Sequence, residues 1–480
     1  MKKLYFLPLL FVFAFALGGC DLTENSEETF EPSDREARLE AIMDLIERNH
    51  YSQPQREAMI DGAIEGLIDA LDDPYTNHFS QEEYEQFQDS MGEEFVGVGI
   101  TVENRDNDVV VQNIWPDSPA ERAGLRVGDV ITHVDGESVE ALSYFETVPK
   151  VQGEEGTEVE FGVDRPGEGD TLYFTMTRET IPNPTVEAST FEDDGKTIGM
   201  IRVNAFGDET YQRFTSELSE LEETGIDGLM IDLRNNGGGR LDTVLNLLNI
   251  FLVEDDDKPM FSIEFYQNGE EDRTDYMADG DSAKPYDIVT IINDFSASAS
   301  EVFAVAMMEH GGYEVVGMES FGKGTMQSPF SHGTMGDDEL HLSNGIWLTP
   351  EGNWINAEGG DYPGVMPTIP VERTTLFDIA GPHLRGDDTF AFDSVSHHVE
   401  MTQIILNGLY DSELREDGYF DEATEAALEN FQEDEGLSVT GELDGDTAQA
   451  LNEVLFEYTQ DSANDEKIQA ALQHLLNNQD

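Results

Sequence analysis

The rhythm of apolar and polar positions changes four times along this chain. Between residues 35 and 92 apolar side chains recur every three or four positions, at Leu39, Ile42 and Ile46 and then at Met59, Ala63, Leu67 and Leu71. That spacing predicts amphipathic helices, the second closed by Asp73-Pro74. From 93 to 180 the pattern shifts to short β-branched runs punctuated by glycine, which predicts a β-rich module. A proline-rich joint, Ile181-Pro-Asn-Pro-Thr185, opens the next segment. There, apolar runs at 197–203, 228–233 and 287–292 predict strands, and amphipathic stretches at 210–224, 241–252 and 300–310 predict helices. Strands and helices alternating at these lengths imply an α/β core reaching to about residue 380. Helical spacing returns from 392 to 456 as a separate module. The remaining 457–480 is polar and acidic with one short helical stretch, and is expected to fray.

The beginning of the chain and its charge bound where such a protein works. Met1-Lys2-Lys3 precedes an apolar run from Leu4 to Leu17, too short to span a bilayer and shaped like an export signal. It closes on Leu17-Gly18-Gly19-Cys20, which resembles the bacterial lipoprotein signal, so residues 1–20 are expected to be removed up to a lipidated Cys20. Cys20 is the one cysteine of 480 residues, which excludes an internal disulfide. Residues 21–34, rich in Glu, Ser and Thr, are expected to form a flexible acidic tether from the extracytoplasmic face of the cell membrane. Asp and Glu number 102 against 25 Lys and Arg, a formal charge of −77, yet 38% of residues are hydrophobic and patterned. The chain is therefore a folded acidic protein suited to high salt, where screening relieves self-repulsion, and its charge excludes nucleic acid as a partner.

Two short strings carry candidate chemistry. Ser298 lies in Phe295-Ser-Ala-Ser-Ala-Ser-Glu301, and Lys323 lies 25 residues on in Phe321-Gly-Lys-Gly-Thr-Met-Gln327. A hydroxyl attacks only when a base takes its proton, and a lysine serves as that base only when its amine is neutral, which burial favours. Gly322 and Gly324 allow the backbone to approach closely enough for that burial. Neither string holds a histidine, so a nucleophilic site here would pair Ser with Lys. The oxyanion would need backbone donors: Ala299 at the start of the helix, and Gly238 in the turn Asp232-Leu-Arg-Asn-Asn-Gly-Gly-Gly239. Ser296 and Ser300 flank the nucleophile, with Ser300 a possible N-cap and Glu301 and Glu309 as ordinary helix residues. A Ser-His-Asp site using His310, His332 or His341 has no supporting signature. No metal or cofactor is implied.

Taken together, the three linked motifs closely resemble the C-terminal processing peptidases, the tail-specific serine proteases, from about residue 35 to about 375. The resemblance implies Ser298 as nucleophile, Lys323 as general base and Gln327 as support for the lysine. It also implies an α/β protease core (ClpP/crotonase-like) over 181–380, N-terminal helices over 35–92 that often dimerise, and an inserted PDZ domain over 93–180. Ser118-Pro-Ala-Glu-Arg-Ala-Gly-Leu-Arg-Val-Gly-Asp-Val-Ile131 carries the likeness to a PDZ domain. On it, Val96, Gly97, Val98, Gly99 and Ile100 form the loop that receives a peptide's terminal carboxylate. Gln403, Thr424, Gln432, Gly441, Asp444 and Thr447 belong to a pattern resembling the small helical peptidoglycan-binding domain, placed at 392–456. The implied partners are protein or peptide substrates with free C-termini, peptidoglycan, the membrane through the anchor, and a second copy of the chain. Gly237 stands where relatives often have Pro, and Met326 where a β-branched residue is common; neither removes a reacting atom. The rival reading is a catalytically inactive, wall-bound PDZ scaffold.

Overall fold

The computed structural model describes residues 35–477, apart from 53, 82–83, 85–93, 106–107, 140–149, 166–167, 169, 194, 268, 331–337, 373–374, 380 and 386–387. The chain divides into two compact units, Met1–Asp73 and Pro74–Asp480. In the first, helices Arg35–Asn49 and Arg56–Asp69 form a hairpin, joined by Arg56 to Asp44 at 2.9 Å and to Glu47 at 3.2 Å. Met43 is its buried apolar residue, while Leu39, Ile42, Leu45, Leu67 and Leu71 are exposed. The helical expectation for 35–92 is interrupted after Asp69 by Asn77–Phe79, a strand of the second unit that pairs with Glu339–Leu348, with helix again at Gln81 and Tyr84.

The second unit is built on a six-stranded sheet. Its strands run in the order Val186–Asp193, Lys196–Val203, Gly228–Asp232, Asp287–Ile292, Glu314–Gly317 and Ile369–Pro370, parallel throughout except for the first pair. Parallel strands need covering on both faces, and their alternate residues divide accordingly. Ile201, Leu229, Ile231, Ile288 and Ile292 meet Phe214, Leu247, Phe251 and Phe303 on one face, from helices Thr210–Thr224, Leu241–Phe251 and Ala299–Val305. Met200, Met230, Val289 and Ile291 point to the other.

That other face is covered by the end of the chain, which corrects the fraying expected of 457–480. Glu466–Asn477 is a helix whose Ile468, Ala471, Leu472 and Leu475 are buried against the sheet. Burying this stripe offsets the entropy that would otherwise leave an acidic tail unfolded.

A second, antiparallel sheet holds Thr325–Phe330, Glu339–Leu348, Phe261–Gln267 and Glu270–Tyr276 beside the Asn77–Phe79 strand. The β-rich module is a separate sheet of Ile100–Arg105, Asp108–Ile114, Val130–Val134, Glu158–Asp164 and Leu172–Thr177 around Val111, Ile131, Phe161 and Val163. It joins the core through a ribbon of Glu94–Gly97 and Glu179–Pro182. In its Ser118 string, the Ser118 hydroxyl caps a short helix by accepting the Glu121 N–H at 3.2 Å. Gly124, at φ 87°, ends that helix in the left-handed conformation. The C-terminal module packs His397–Tyr410, Glu422–Asp434 and Gly445–Gln460 around Phe420, Leu428, Phe431 and Leu451. Gln403 and Gln432 are struts inside it. Gln432 donates to the Glu442 carbonyl at 2.9 Å and accepts from the Thr440 and Gly441 N–H groups, so that part of the pattern serves the fold.

Candidate active site

The strand Asp287–Ile292 leads into a tight turn that ends on Ser298, the residue before the helix Ala299–Val305. Ser298 is half-buried, with φ 55° and ψ −112°, outside the ordinary left-handed well and a conformation costing about 1–3 kcal/mol for a residue with a side chain. Its neighbours are anchors. The buried Ser296 hydroxyl donates to the Leu233 carbonyl at 2.9 Å, and the buried Ser300 hydroxyl donates to the Asn236 carbonyl at 2.8 Å. Ser300 is therefore not the N-cap; Ser298 occupies that position.

Glu301 holds the turn to the lysine loop, which sequence reasoning missed. Its carboxylate is fully buried and accepts four donors. Oε2 takes the Ser298 N–H at 2.7 Å and the Lys323 N–H at 2.8 Å, while Oε1 takes the Gly322 N–H at 2.7 Å and the Ser320 hydroxyl. Burial pushes this carboxyl above the usual range, against the pull of Ser320 and the three amides. The Phe321 N–H, donating to the Ser296 carbonyl at 3.0 Å, makes a further link between the two loops. The glycines beside Lys323 are there for contact: a Cβ on Gly322 would lie 1.9 Å from the Pro363 carbonyl oxygen, and one on Gly324 1.9 Å from that of Ile355.

Of the Asp73-Pro-Tyr-Thr76 turn, Tyr75 reaches this loop and Thr76 reaches the neighbouring Glu339–Leu348 strand. Lys323 Nζ sits 4.6 Å from the centre of the Tyr75 ring. Thr76 Oγ1 accepts the Ser343 N–H at 3.1 Å, and Ser343 Oγ accepts the Gln327 amide at 2.9 Å. Gln327 also donates to Thr325 Oγ1 at 3.2 Å, and its strand shifts register between Met326 and Gln327, a bulge that re-aims the side chain.

The glycine turn forms the remaining wall. Asp232, fully buried at the end of its strand, accepts Arg234 Nε and Nη2 at 2.8 Å each and Arg202 Nη2 at 3.0 Å. Burial alone would raise its carboxyl; the Arg234 and Arg202 guanidiniums outweigh that and hold it down at about 2. Asn236 ties the turn to the nucleophile loop, its carbonyl accepting the Ala297 N–H at 3.0 Å. Gly238 lies against Ser298 and Ala299, where a Cβ would be 3.0 Å from the Ser298 Cβ. Its amide corrects one expectation: the buried N–H donates to Asn236 Oδ1 at 2.8 Å, since a buried donor takes the acceptor two residues away. The exposed Gly237 is its neighbour in the turn.

The other expected residues lie elsewhere. Val96 and Gly97 end the ribbon strand, Val98 and Gly99 form the turn, and Ile100 begins the next strand. The Val98 carbonyl accepts the Ala120 N–H at 2.9 Å, and Val98 is buried in the module's core. In the same module Arg165 is committed to Asp129 by two 2.8 Å bonds, so its charge is not offered to a peptide carboxylate. His310 engages the Val253 carbonyl, and His341 packs edge-on against Phe79. Cys20 and His332 lie outside the described residues.

A strained serine at a strand-to-helix turn, tied through one carboxylate to a glycine-flanked lysine loop, is the arrangement of a serine peptidase core. The chain belongs to the carboxy-terminal processing proteases of Peptidase family S41, whose family model matches residues 197–371. A PDZ domain model matches 96–176, a peptidoglycan binding domain model 397–451, and the model of the activating protease CtpB N-terminal domain 19–83. Among relatives, carboxy-terminal processing protease CtpB of Bacillus subtilis (strain 168) is 35% identical over 441 residues, covering 92% of this chain and 89% of its own. CtpA of the same organism is 30% identical over 416 residues, covering 86% and 85%. The solved photosystem II D1 C-terminal processing protease is 28% identical, covering 68% of this chain and 85% of its own, with a TM-score of 0.47.

Proposed function

We propose that this serine peptidase is a lipid-anchored, extracytoplasmic endopeptidase that selects substrates by their free C-termini and cleaves them with Ser298 and Lys323. The observation that carries the mechanism is the Glu301 carboxylate, which bonds the backbone N–H groups of both residues through one oxygen. Ser298 Oγ attacks the scissile carbonyl while its proton passes to the neutral Lys323 amine, which returns it to the leaving amine. An ester forms on Ser298 as the peptide C–N bond breaks. Water, deprotonated by the same amine, then hydrolyses that ester. The Ala299 N–H, first of its helix, and a donor from the glycine turn, Gly237 being exposed there, receive the oxyanion. Gln327, anchored through Ser343, orients the lysine loop.

The PDZ module supplies C-terminal recognition through the turn at Val98 and Gly99, and the C-terminal module holds the enzyme at the wall. Cys20 carries the anchor. The exposed apolar face of the N-terminal hairpin supports a homodimer. The test is cleavage of an unstructured protein with an apolar C-terminus by Ser298→Ala and Lys323→Ala. Each variant is expected to lose cleavage while keeping its fold, because nucleophile and base act as one unit. Retained cleavage in either variant would refute the pair and leave the site to a different base or to a binding role.

A further inference from the structure

The last helix, Glu466–Asn477, comes after the wall module in sequence, yet it is fastened at both ends to the catalytic sheet. At its C-terminal end, Lys196 Nζ donates to the Leu476 carbonyl at 2.8 Å. At its start stands Asp465, which does two things with its two oxygens. Oδ1 accepts the Lys467 N–H at 3.0 Å and the Ile468 N–H at 3.2 Å, capping the helix, while Oδ2 accepts Arg234 Nη1. The other edge of the same guanidinium is occupied by Asp232, and the Arg234 side chain is 11% exposed. Arg234 is thus gripped between a carboxylate at the end of a core strand and a carboxylate more than 200 residues later.

Immediately after Arg234 the chain enters the turn that faces the nucleophile. Asn235 has φ 60°, Gly238 φ 109° and Gly239 φ 138°, so this stretch has no regular ladder to hold its shape. Its far side is tied by the Ala297 N–H and the Ser300 hydroxyl on the Asn236 carbonyl and by Phe206, which bonds Gly238 and Arg240. Its near side is held by the Asn293 side chain on Asn235 at 2.8–2.9 Å, Asn236 on the Val203 carbonyl at 2.7 Å, and the Arg234 clamp. We propose that Asp465 is a positioning residue for peptide hydrolysis, holding Arg234 from its second side so that the glycine turn keeps its place against Ser298 and Ala299. The last helix is then a working part of the protease, because it carries this carboxylate to the back of the active site. Misplacement of a catalytic wall by about 1 Å costs on the order of a hundredfold in rate, so the turn need move only a fraction of that for the loss to be measurable.

The proposal rests on Ser298 as nucleophile, and the test separates the two. Two substitutions in the full-length chain divide the jobs of Asp465. Asp465→Ser keeps a good helix cap but is too short to hold Arg234, and Asp465→Glu keeps a carboxylate for Arg234 but is a poorer cap. kcat and KM are measured for one unstructured protein substrate at a temperature where circular dichroism shows each variant fully folded, beside Ser298→Ala. The expected result is a kcat about tenfold or more lower in Asp465→Ser at unchanged KM, with Asp465→Glu close to the wild type. If folded Asp465→Ser keeps the wild-type kcat, or if Asp465→Glu is the poorer enzyme, Asp465 only caps the helix and the proposal falls. If Ser298→Ala cleaves as well as the wild type, the nucleophile reading fails first and takes the proposal with it.

Discussion

Replacing Glu301 by glutamine changes one oxygen of a buried carboxylate into an NH2 group, and the geometry leaves the amide no good orientation. In one orientation the new N–H2 faces the Ser298 and Lys323 amides; in the other it faces the Gly322 amide and the Ser320 hydroxyl. In the first orientation both amides lose their acceptor; in the second the Gly322 amide loses its acceptor while the Ser320 hydroxyl can turn and accept. In both the charge that draws the Ser298 N–H is gone, a bond to a charged group being worth about 1.5–3 kcal/mol. The neutral amide also removes the burial cost that holds the Glu301 carboxyl above its usual range, so overall stability falls by less than the lost bonds alone imply. The informative readout is therefore the nucleophile. Ser298 sits in backbone strain of about 1–3 kcal/mol, and the Glu301 bond to its N–H is one of the restraints that keep it there. If the turn relaxes by that amount, the competent population falls about 5- to 150-fold, at 1.4 kcal/mol per tenfold. The assay is the second-order rate of Ser298 acylation by an active-site acylating probe, with kcat for peptide cleavage in parallel and circular dichroism to verify the fold. A folded Glu301→Gln enzyme that is acylated at the wild-type rate would refute the role of this carboxylate in shaping the nucleophile.

Three further outcomes are expected. Asp232 is held at about 2 in the folded protein against a usual 3.8, so its charge adds stability that is fully present above about pH 4 and is lost as pH falls towards 2. The stability difference between wild type and Asp232→Asn in urea titrations should accordingly be large at pH 7 and shrink below pH 4, and a constant difference would contradict the clamp. Replacing Cys20 with Ser should abolish incorporation of labelled fatty acid, and a wild-type chain that takes up no lipid would remove the anchor. A substrate with a free C-terminal carboxylate should be cleaved faster than its amidated counterpart, whereas equal rates would mean that the PDZ module does not read the terminus.

Much of this protein was legible in the order of its residues because much of it is local. The strands expected at 197–203 and 287–292 and the helix at 210–224 stand as Lys196–Val203, Asp287–Ile292 and Thr210–Thr224, since a short continuous apolar run marks a strand covered on both faces and a period of 3.6 marks the buried face of a helix, whatever lies opposite. Ser298 and Lys323 were visible for a similar reason: small residues and glycines beside a reactive group mark where backbone approaches closely. Glu301 was not, because a glutamate in the first turn of a helix has the same local pattern whether it faces water or four donors. Three of those donors arrive only when residues 320–323 fold onto the nucleophile loop; the fourth, the Ser298 N–H, is a local capping-box bond that Ser298-Ala-Ser-Glu301 does carry in its sequence. Tyr75 and Thr76 looked like the end of a helical segment, and only the pairing of Asn77–Phe79 with Glu339–Leu348 brings Tyr75 to Lys323 and Thr76 to Ser343. The last helix shows the division most plainly. In sequence it read as a polar, acidic tail with one short helical stretch expected to fray, because an amphipathic face such as Ile468, Leu472 and Leu475 does not name its partner. That it closes the second face of the catalytic sheet and carries Asp465 to Arg234 was decided by contacts across more than 200 residues, which no local pattern contains.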